Sequence, residues 1–170
     1  MHLEEFNHLP AVDAVSALYG CCHCQSWAEA VSAARPFTCL DELQARAHQV
    51  WLQASEADIL DAFSGHARIG DIELLRSRYA GRATQEQGQV LQASDEVIQS
   101  LYQLNKAYEE KNGFIFIVCA SGKSADEMLQ LLQARIDNPR AVELQNGACE
   151  QGEITRLRIA TLFMPTSDTH

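Results

Sequence analysis

The sequence is short of basic residues and of the residues that interrupt helices. Its 170 residues include 13 lysines and arginines against 23 aspartates and glutamates, a formal net charge of −10. Nucleic acids and anionic membranes select basic surfaces, so this balance argues against both as partners. Nine glycines and four prolines fall below the roughly 12% of average proteins. A chain with few helix breakers that is rich in Ala, Leu, Gln and Glu is typically helical.

The sequence also contains no apolar run long enough to span a bilayer, and Met1–Phe6 lacks the apolar core of a signal peptide. We therefore expect a cytoplasmic protein whose six cysteines are reduced thiols. A length of 170 residues favours a single domain over residues 1–170, large enough to bury its own core.

Helix start and stop signals recur along the chain. Pro10 and Gly20 are placed to open and close one helix. Ser55 and Ser124 are candidate N-caps of two others, Ser124 as part of a capping box, and Thr38 is a candidate N-cap of a third. Apolar residues follow these signals at helical spacing. The pattern predicts an all-α fold in a compact multi-helix domain.

One segment does not fit the helical pattern. Phe114–Cys119 is a run of six apolar residues rich in β-branched and aromatic types. Periodicity alone does not distinguish a buried strand from a buried helix in such a short run. Because one strand cannot make a sheet, we expect a buried extended or irregular segment inside the all-α domain.

Cys21-Cys22-His23-Cys24 first suggests zinc, because cysteine and histidine are the usual ligands. Structural zinc sites take ligands in pairs that are distant in sequence, whereas four contiguous residues cannot all point at one ion. We therefore expect thiols packed as small hydrophobic groups and no metal, with a zinc module as the alternative.

Gly122-Lys123-Ser124 lies between an apolar run and a predicted helix, as a phosphate-binding loop does. The full pattern requires a glycine where this chain has Ile117. A turn with a helix cap is therefore favoured over a phosphate- or nucleotide-binding transferase, which stays open as an alternative.

His66 lies in a glycine-bracketed loop, and imidazole exchanges protons near neutral pH. Glu86-Gln87 places a carboxylate beside an amide, a pair able to hold a polar ring by several hydrogen bonds. Arg156 and Arg158 are two residues apart, so they point to different sides of a helix. Taken singly, these residues fit surface polar groups on a non-catalytic helical interaction module as well as they fit an active site.

Taken together, these segments and their order resemble one family, and the resemblance extends over roughly residues 6–163. The family is 2-oxo-4-hydroxy-4-carboxy-5-ureidoimidazoline (OHCU) decarboxylase, the last enzyme of the route from urate to (S)-allantoin. The segments that carry the resemblance are Asn7–Pro10, Arg35–Phe37, Gly65–Gly70, Glu86-Gln87, Asn105–Glu109, Phe114–Ala120 and Leu157–Ile159.

The resemblance implies an all-α enzyme that decarboxylates a small ureidoimidazoline carboxylate without metal or organic cofactor. Family members often form dimers, which makes a homodimer a candidate assembly. The family's catalytic histidine matches His66 and its catalytic glutamate matches Glu86. The substrate-binding positions implied by the resemblance are Ala67, Thr84, Gln87, Phe116, Val118 and Arg158.

Two positions depart from the family pattern. Ala67 replaces the proline that usually follows the catalytic histidine, so the loop at His66 loses a fixed φ angle. Ala83 stands where many members have a serine, which puts one side-chain hydrogen bond in question. We expect the hydroxyl of Thr84 to be the nearest substitute.

Overall fold

The computed structural model describes residues 1–66, 95–119 and 123–164, and every regular element in these ranges is an α-helix. The all-α fold class predicted from the sequence is therefore confirmed. Eight helices are described: α1 (Leu3–His8), α2 (Ala11–Tyr19), α3 (Gln25–Ala33), α4 (Leu40–Leu52), α5 (Glu56–Ser64), α6 (Asp95–Asn112), α7 (Ala125–Arg135) and α8 (Arg140–Leu162).

Local sequence signals set several of the helix ends. Gly20 closes α2 as predicted, whereas Pro10, predicted at the first helical position, is the N-cap one residue earlier. Ser55 Oγ accepts from the backbone N–H of Asp58 at 3.2 Å at the start of α5. The prediction for α4 was wrong by one residue, because Cys39 is the N-cap. Thr38 lies one residue before the N-cap, and its hydroxyl donates to the carboxylate of Glu42 at 2.9 Å.

The chain forms two compact units, and each is described by itself. Unit 1 contains Met1–His66 and Ala148–His170, and unit 2 contains Ala67–Gly147. The core of unit 1 includes Phe6, Trp27 and Phe63, all nearly inaccessible to solvent. The single domain over residues 1–170 stays a prediction.

Two tryptophans hold unit 1 together through buried polar atoms as well as apolar area. Trp27 Nε1 donates to the carbonyl of Ala47 at 3.0 Å, which joins α3 to α4. Trp51 Nε1 donates to the carbonyl of Ala148 at 2.9 Å, which joins α4 to the part of α8 that belongs to unit 1. An indole N–H buried without an acceptor would cost free energy, so these bonds also fix where the helices pack.

Unit 2 contains the apolar segment Phe114–Cys119, which has no helix or strand, as predicted. Gly113 ends α6 with φ of +80°, a left-handed conformation that glycine adopts without steric cost. The chain then enters the segment, where Phe114 and Ile117 are 6% and 2% exposed. The expectation of a buried irregular segment is confirmed.

Within the described ranges, no helix is both long enough and apolar enough to cross a membrane. The cytoplasmic location stays a prediction.

Candidate active site

His66 stands where the chain leaves α5 in unit 1, and it is half-buried. Gly65 is the C-cap of α5, and the backbone N–H of His66 donates to the carbonyl of Phe63 at 3.1 Å. A Cβ atom added at Gly65 would overlap the ring of His23. Glycine is therefore required for space at this turn, and it allows His23 to lie against the residue that precedes His66.

The imidazole of His66 bonds to a side chain from α8. Its Nε2 lies 2.5 Å from Oε1 of Gln151, whose side chain has no exposure to solvent. Nε2 of Gln151 donates in turn to Oγ1 of Thr155 at 3.0 Å, one helical turn further on. Both ends of the buried amide thus have partners, as burial of a polar group requires.

Arg158 lies next to this chain of hydrogen bonds, with its Nη1 donating to the carbonyl of Cys21 at 3.4 Å. Burial lowers the pKa of His66 below its ordinary value of 6.5. The hydrogen bond to Gln151 opposes that change, while the charges of Arg158 and His23 add to it. His66 is therefore a neutral imidazole at pH 7, able to accept a proton near a guanidinium that can bind an oxyanion.

The two arginines near the C-terminus have different surroundings. Arg156 is exposed, and its Nη2 pairs with Glu153 at 3.2 Å on the surface of α8. Arg158 is half-buried and acts electrostatically on His66. This geometry favours Arg158 over Arg156 as the arginine that binds a ligand, in agreement with the match to the family pattern.

Phe116 and Val118 belong to unit 2 and are half-buried on either side of buried Ile117. The ring of Phe116 packs edge-to-face against Tyr108, with ring centroids 5.2 Å apart. Neither the backbone N–H of Phe116 nor that of Val118 donates to another described residue. These two amides are thus suited to bind a ligand, which is the role that the resemblance implies for this segment.

Arg135 of α7 holds this segment in place within unit 2. Its Nη1 donates to the carbonyl of Ile117 at 3.0 Å, and its guanidinium lies 4.5 Å from the centroid of the Phe116 ring. Its Nε donates to Oε1 of Glu143 at 2.8 Å, and the side chain of Glu143 is fully buried. A buried ion pair therefore positions the backbone of the apolar segment.

Glu143 is the acceptor at the centre of this buried cluster. Burial opposes its ionisation, but hydrogen bonds and the charge of Arg135 outweigh burial and lower the pKa of Glu143 below its ordinary 4.5. Burial and the neighbouring carboxylate raise the pKa of Tyr108, so its hydroxyl remains a donor. The three donors other than Arg135 are Tyr108, Asn138 and Asn146, at 2.7, 2.8 and 2.8 Å.

Several predicted site residues lie outside the described ranges. The catalytic prediction Glu86 and the binding predictions Ala67, Thr84 and Gln87 are among them, so these four stay predictions. The same holds for Ala83, the second departure from the family pattern.

The cysteines next to His23 are packed in the interior and are almost inaccessible to solvent. Cys21, Cys22 and Cys24 are 5%, 1% and 1% exposed. Burial raises the pKa of the Cys21 thiol to about 11 and that of Cys22 to about 12. Metals bind the thiolate, so these protonated thiols fit the packing interpretation better than the zinc alternative. No group of three or more metal-binding side chains is found in the described ranges.

The turn before α7 is a helix cap. Ser124 Oγ accepts from the backbone N–H of Glu127 at 3.2 Å, and the carboxylate of Glu127 accepts from the backbone N–H of Ser124 at 3.3 Å. This capping box was predicted from the sequence. Nζ of Lys123 donates to the carbonyl of Cys119 at 2.7 Å, which ties the lysine to its own turn. Gly122 lies outside the described ranges.

Sequence reasoning missed Gln151 and Thr155. The spacing of Gln151, Thr155 and Arg158 is i, i+4 and i+7, which places all three on one face of a helix. A polar stripe that continues to the predicted ligand-binding arginine was the signal that could have found them.

The OHCU decarboxylase family model matches residues 7–160 of the chain. The chain belongs to the OHCU decarboxylase family. The family inferred from the sequence resemblance is confirmed, and the matched region includes every predicted site residue.

Individual OHCU decarboxylase relatives agree with this assignment. The uric acid degradation bifunctional protein TTL of Arabidopsis thaliana is 38% identical over 147 residues, which are 84% of this chain and 45% of that protein. The 2-oxo-4-hydroxy-4-carboxy-5-ureidoimidazoline decarboxylase of Haloferax volcanii is 27% identical over 165 residues and 95% of each chain. The chain thus spans less than half of the Arabidopsis protein and nearly all of the Haloferax protein.

A crystal structure of OHCU decarboxylase in the presence of (S)-allantoin has a similar fold. It aligns with a TM-score of 0.71 and 37% sequence identity, covering 85% of this chain and 95% of that chain. The overlap extends over almost the entire length of the crystallised decarboxylase.

Proposed function

We propose that this protein decarboxylates 2-oxo-4-hydroxy-4-carboxy-5-ureidoimidazoline to (S)-allantoin, the last step of urate degradation. The observation that carries the proposal is the pairing of a neutral, half-buried His66 with the nearby guanidinium of Arg158 in a chain of this family. A proton acceptor beside an oxyanion-binding group is the minimum that this chemistry requires.

The substrate itself supplies the means to accept electrons. Its carboxylate and hydroxyl share one ring carbon, and a C=N bond lies beside that carbon. When the bond to the carboxylate breaks, its electron pair moves into the ring and the C=N nitrogen accepts the displaced pair. The protein then needs to orient the carboxylate, remove the hydroxyl proton and deliver a proton to one face of the ring. A cofactor that acts as an electron sink is unnecessary.

The described residues suit two of these tasks. His66 is the proton acceptor for the hydroxyl, and Arg158 binds a carboxylate or carbonyl oxygen through its N–H groups. From the family resemblance, the amides of Phe116 and Val118 are proposed as further donors for the ring. Glu86 and Gln87 are proposed to hold the ring nitrogens and help transfer the proton, with Ala67 and Thr84 beside them in the binding region.

The net charge of −10 opposes the approach of an anionic substrate. Local cationic groups must therefore overcome the field of the whole protein. Arg158 fits this requirement, because it is half-buried and less screened by solvent than Arg156 on the surface of the same helix.

The test is to generate the unstable substrate in situ from urate with the two preceding enzyme activities, and to add the purified protein. We expect faster CO₂ release and optically active allantoin, followed by circular dichroism. Racemic allantoin formed at the spontaneous rate would exclude the proposed reaction. Heat-inactivated protein is the matched control.

The same preparation addresses the other predictions. Tight binding of ATP or GTP would favour the transferase alternative, although the lysine of that turn is bonded to Cys119. Size-exclusion chromatography with light scattering tests the proposed homodimer. Cell fractionation tests the proposed cytoplasmic location.

A further inference from the structure

Gln151 is a buried side chain to which the proposed chemistry has so far assigned no role. It lies on the second half of α8, has no exposure to solvent, and bonds to His66 and Thr155. When a fully buried amide accepts a hydrogen bond from a candidate catalytic residue, the bond restricts the orientation of both side chains.

The two hydrogen bonds of Gln151 use opposite ends of its amide. Oε1 lies 2.5 Å from Nε2 of His66, and Nε2 donates to Oγ1 of Thr155. An amide oxygen only accepts hydrogen bonds, so a bond at this distance requires a proton on Nε2 of His66. The Nδ1 atom of His66 has no acceptor among the described residues.

A neutral histidine carries one proton, and burial lowers the pKa of His66, which favours the neutral form at pH 7. Within the described ranges, the charged or titratable groups that act on it are Arg158 from α8 and His23 from the turn before α3. Both lower the pKa of His66 and therefore also favour the neutral ring.

We infer that Gln151 is a positioning residue that holds His66 as the Nε2–H tautomer and leaves Nδ1 as the nitrogen that accepts the substrate's proton. The catalytic part of this inference rests on the proposed decarboxylation. In that step the O–H bond of the substrate breaks, a bond forms between Nδ1 and the hydrogen, and the electron pair remains on the substrate oxygen.

The same hydrogen bond serves both protonation states of His66. After proton transfer, the imidazolium carries a proton on each nitrogen, and Nε2 still donates to Gln151. The ring therefore need not turn during the reaction, and preorganisation of this kind lowers the barrier. An amide in the opposite orientation would place its NH₂ group against the N–H of the imidazolium and lose the bond at that moment.

The direct test is the tautomer of His66 in the free protein. Histidine labelled with ¹⁵N, observed by long-range ¹H–¹⁵N correlation well above the titration midpoint, distinguishes the protonated nitrogen from the bare one. The His66→Ala variant identifies the signal. We expect Nε2 to carry the proton, and a proton on Nδ1 would overturn the inference.

Two substitutions then separate positioning from simple stability. Gln151→Met keeps the size of the side chain and removes its acceptor, so we expect a mixture of tautomers and a kcat about 10- to 100-fold lower, with a smaller change in KM. Gln145→Met is the matched control, because Gln145 is exposed on the same helix. A pure Nε2–H tautomer in Gln151→Met would contradict the role of Gln151.

Gln151→Glu tests the contact by pH. A carboxylate at this position still accepts from Nε2, and its negative charge should move the acidic limb of the kcat/KM profile to higher pH by about one unit. An acidic limb at the same pH as in the wild-type protein would count against the inference.

These results are separable from the proposed function, because the tautomer is measured without substrate. An inactive protein with the Nε2–H tautomer would refute the reaction and the role of Nδ1 in it, but not the positioning of His66 by Gln151. An active protein with the Nδ1–H tautomer would refute only the inference.

Discussion

The Nε2 atom of His66 lies 2.5 Å from the Oε1 atom of the fully buried Gln151, although 85 positions separate the two residues in sequence. This contact joins the end of α5 to α8 inside unit 1, and it places a neutral imidazole next to Arg158.

Replacement of His66 by alanine should lower kcat by about 10²- to 10⁴-fold, the usual contribution of a positioned acid–base group. The fold should persist, because the side chain is half-buried at a helix end rather than in the core. The measurement is kcat with substrate generated in situ, together with thermal unfolding. His48→Ala, at an exposed position of α4, is the control, and wild-type kcat in His66→Ala would remove His66 from the mechanism.

The pH profile of kcat/KM should have its acidic limb below 6.5, because burial and nearby positive charge lower the pKa of His66.

The lowered pKa of His66 also predicts how the free energy of unfolding changes with pH. The unfolded chain binds the proton more readily than the native protein, so the contribution of His66 to stability is full above 6.5 and is lost as pH falls through the lower native pKa. Titration of the His66 ring signal by NMR measures that midpoint, and a value above 6.5 would contradict the prediction.

The two arginines of α8 should behave differently when each is changed to glutamine. Loss of a charge-assisted hydrogen bond of about 1.5–3 kcal/mol should lower kcat/KM about 10- to 150-fold in Arg158→Gln. Arg156→Gln removes only an exposed pair with Glu153 and should have almost no effect. Steady-state kinetics of both variants at one pH gives the two kcat/KM values. Equal losses of kcat/KM in the two variants would argue against a specific role for Arg158.

Glu143→Gln should destabilise the protein by about 3–5 kcal/mol, because it leaves Arg135 buried without its ionic partner. Glu153→Gln, which removes the acidic partner of an exposed pair, should cost at most about 1 kcal/mol. Urea denaturation measures both free energies of unfolding.

The lowered pKa of Glu143 also predicts that its stabilising contribution is present above 4.5 and is lost as pH falls through its lower native pKa.

Gly65→Ala should destabilise the turn before His66 by about 1–3 kcal/mol, the usual cost of overpacking. The added Cβ meets Cβ, Cγ and Nδ1 of His23, and the Cβ of His23 cannot move away without its backbone. In the His23→Gly background the same substitution should cost close to nothing. A double-mutant cycle measured by thermal unfolding tests this coupling, and additive effects would rule out the contact as the cause.

Local interactions explain why much of the fold was predictable. Ser55 and Ser124 cap helices through atoms three residues away, and Gly113 ends α6 with a backbone angle that glycine adopts freely. Such signals depend on neighbouring residues only. The error at Thr38 arose where such a signal is missing, because the N-cap Cys39, one residue further on, makes no side-chain capping bond.

The helical fold class, several helix ends, the family, and the choice of His66 and Arg158 as site residues could be predicted from the sequence alone. Only the tertiary structure decided what surrounds them. That Gln151 faces His66, and that Glu143 is buried against Arg135, depends on how helices pack side by side. Close packing brings together side chains that are remote in sequence, and the cost of burying an unpaired polar group selects which of them meet.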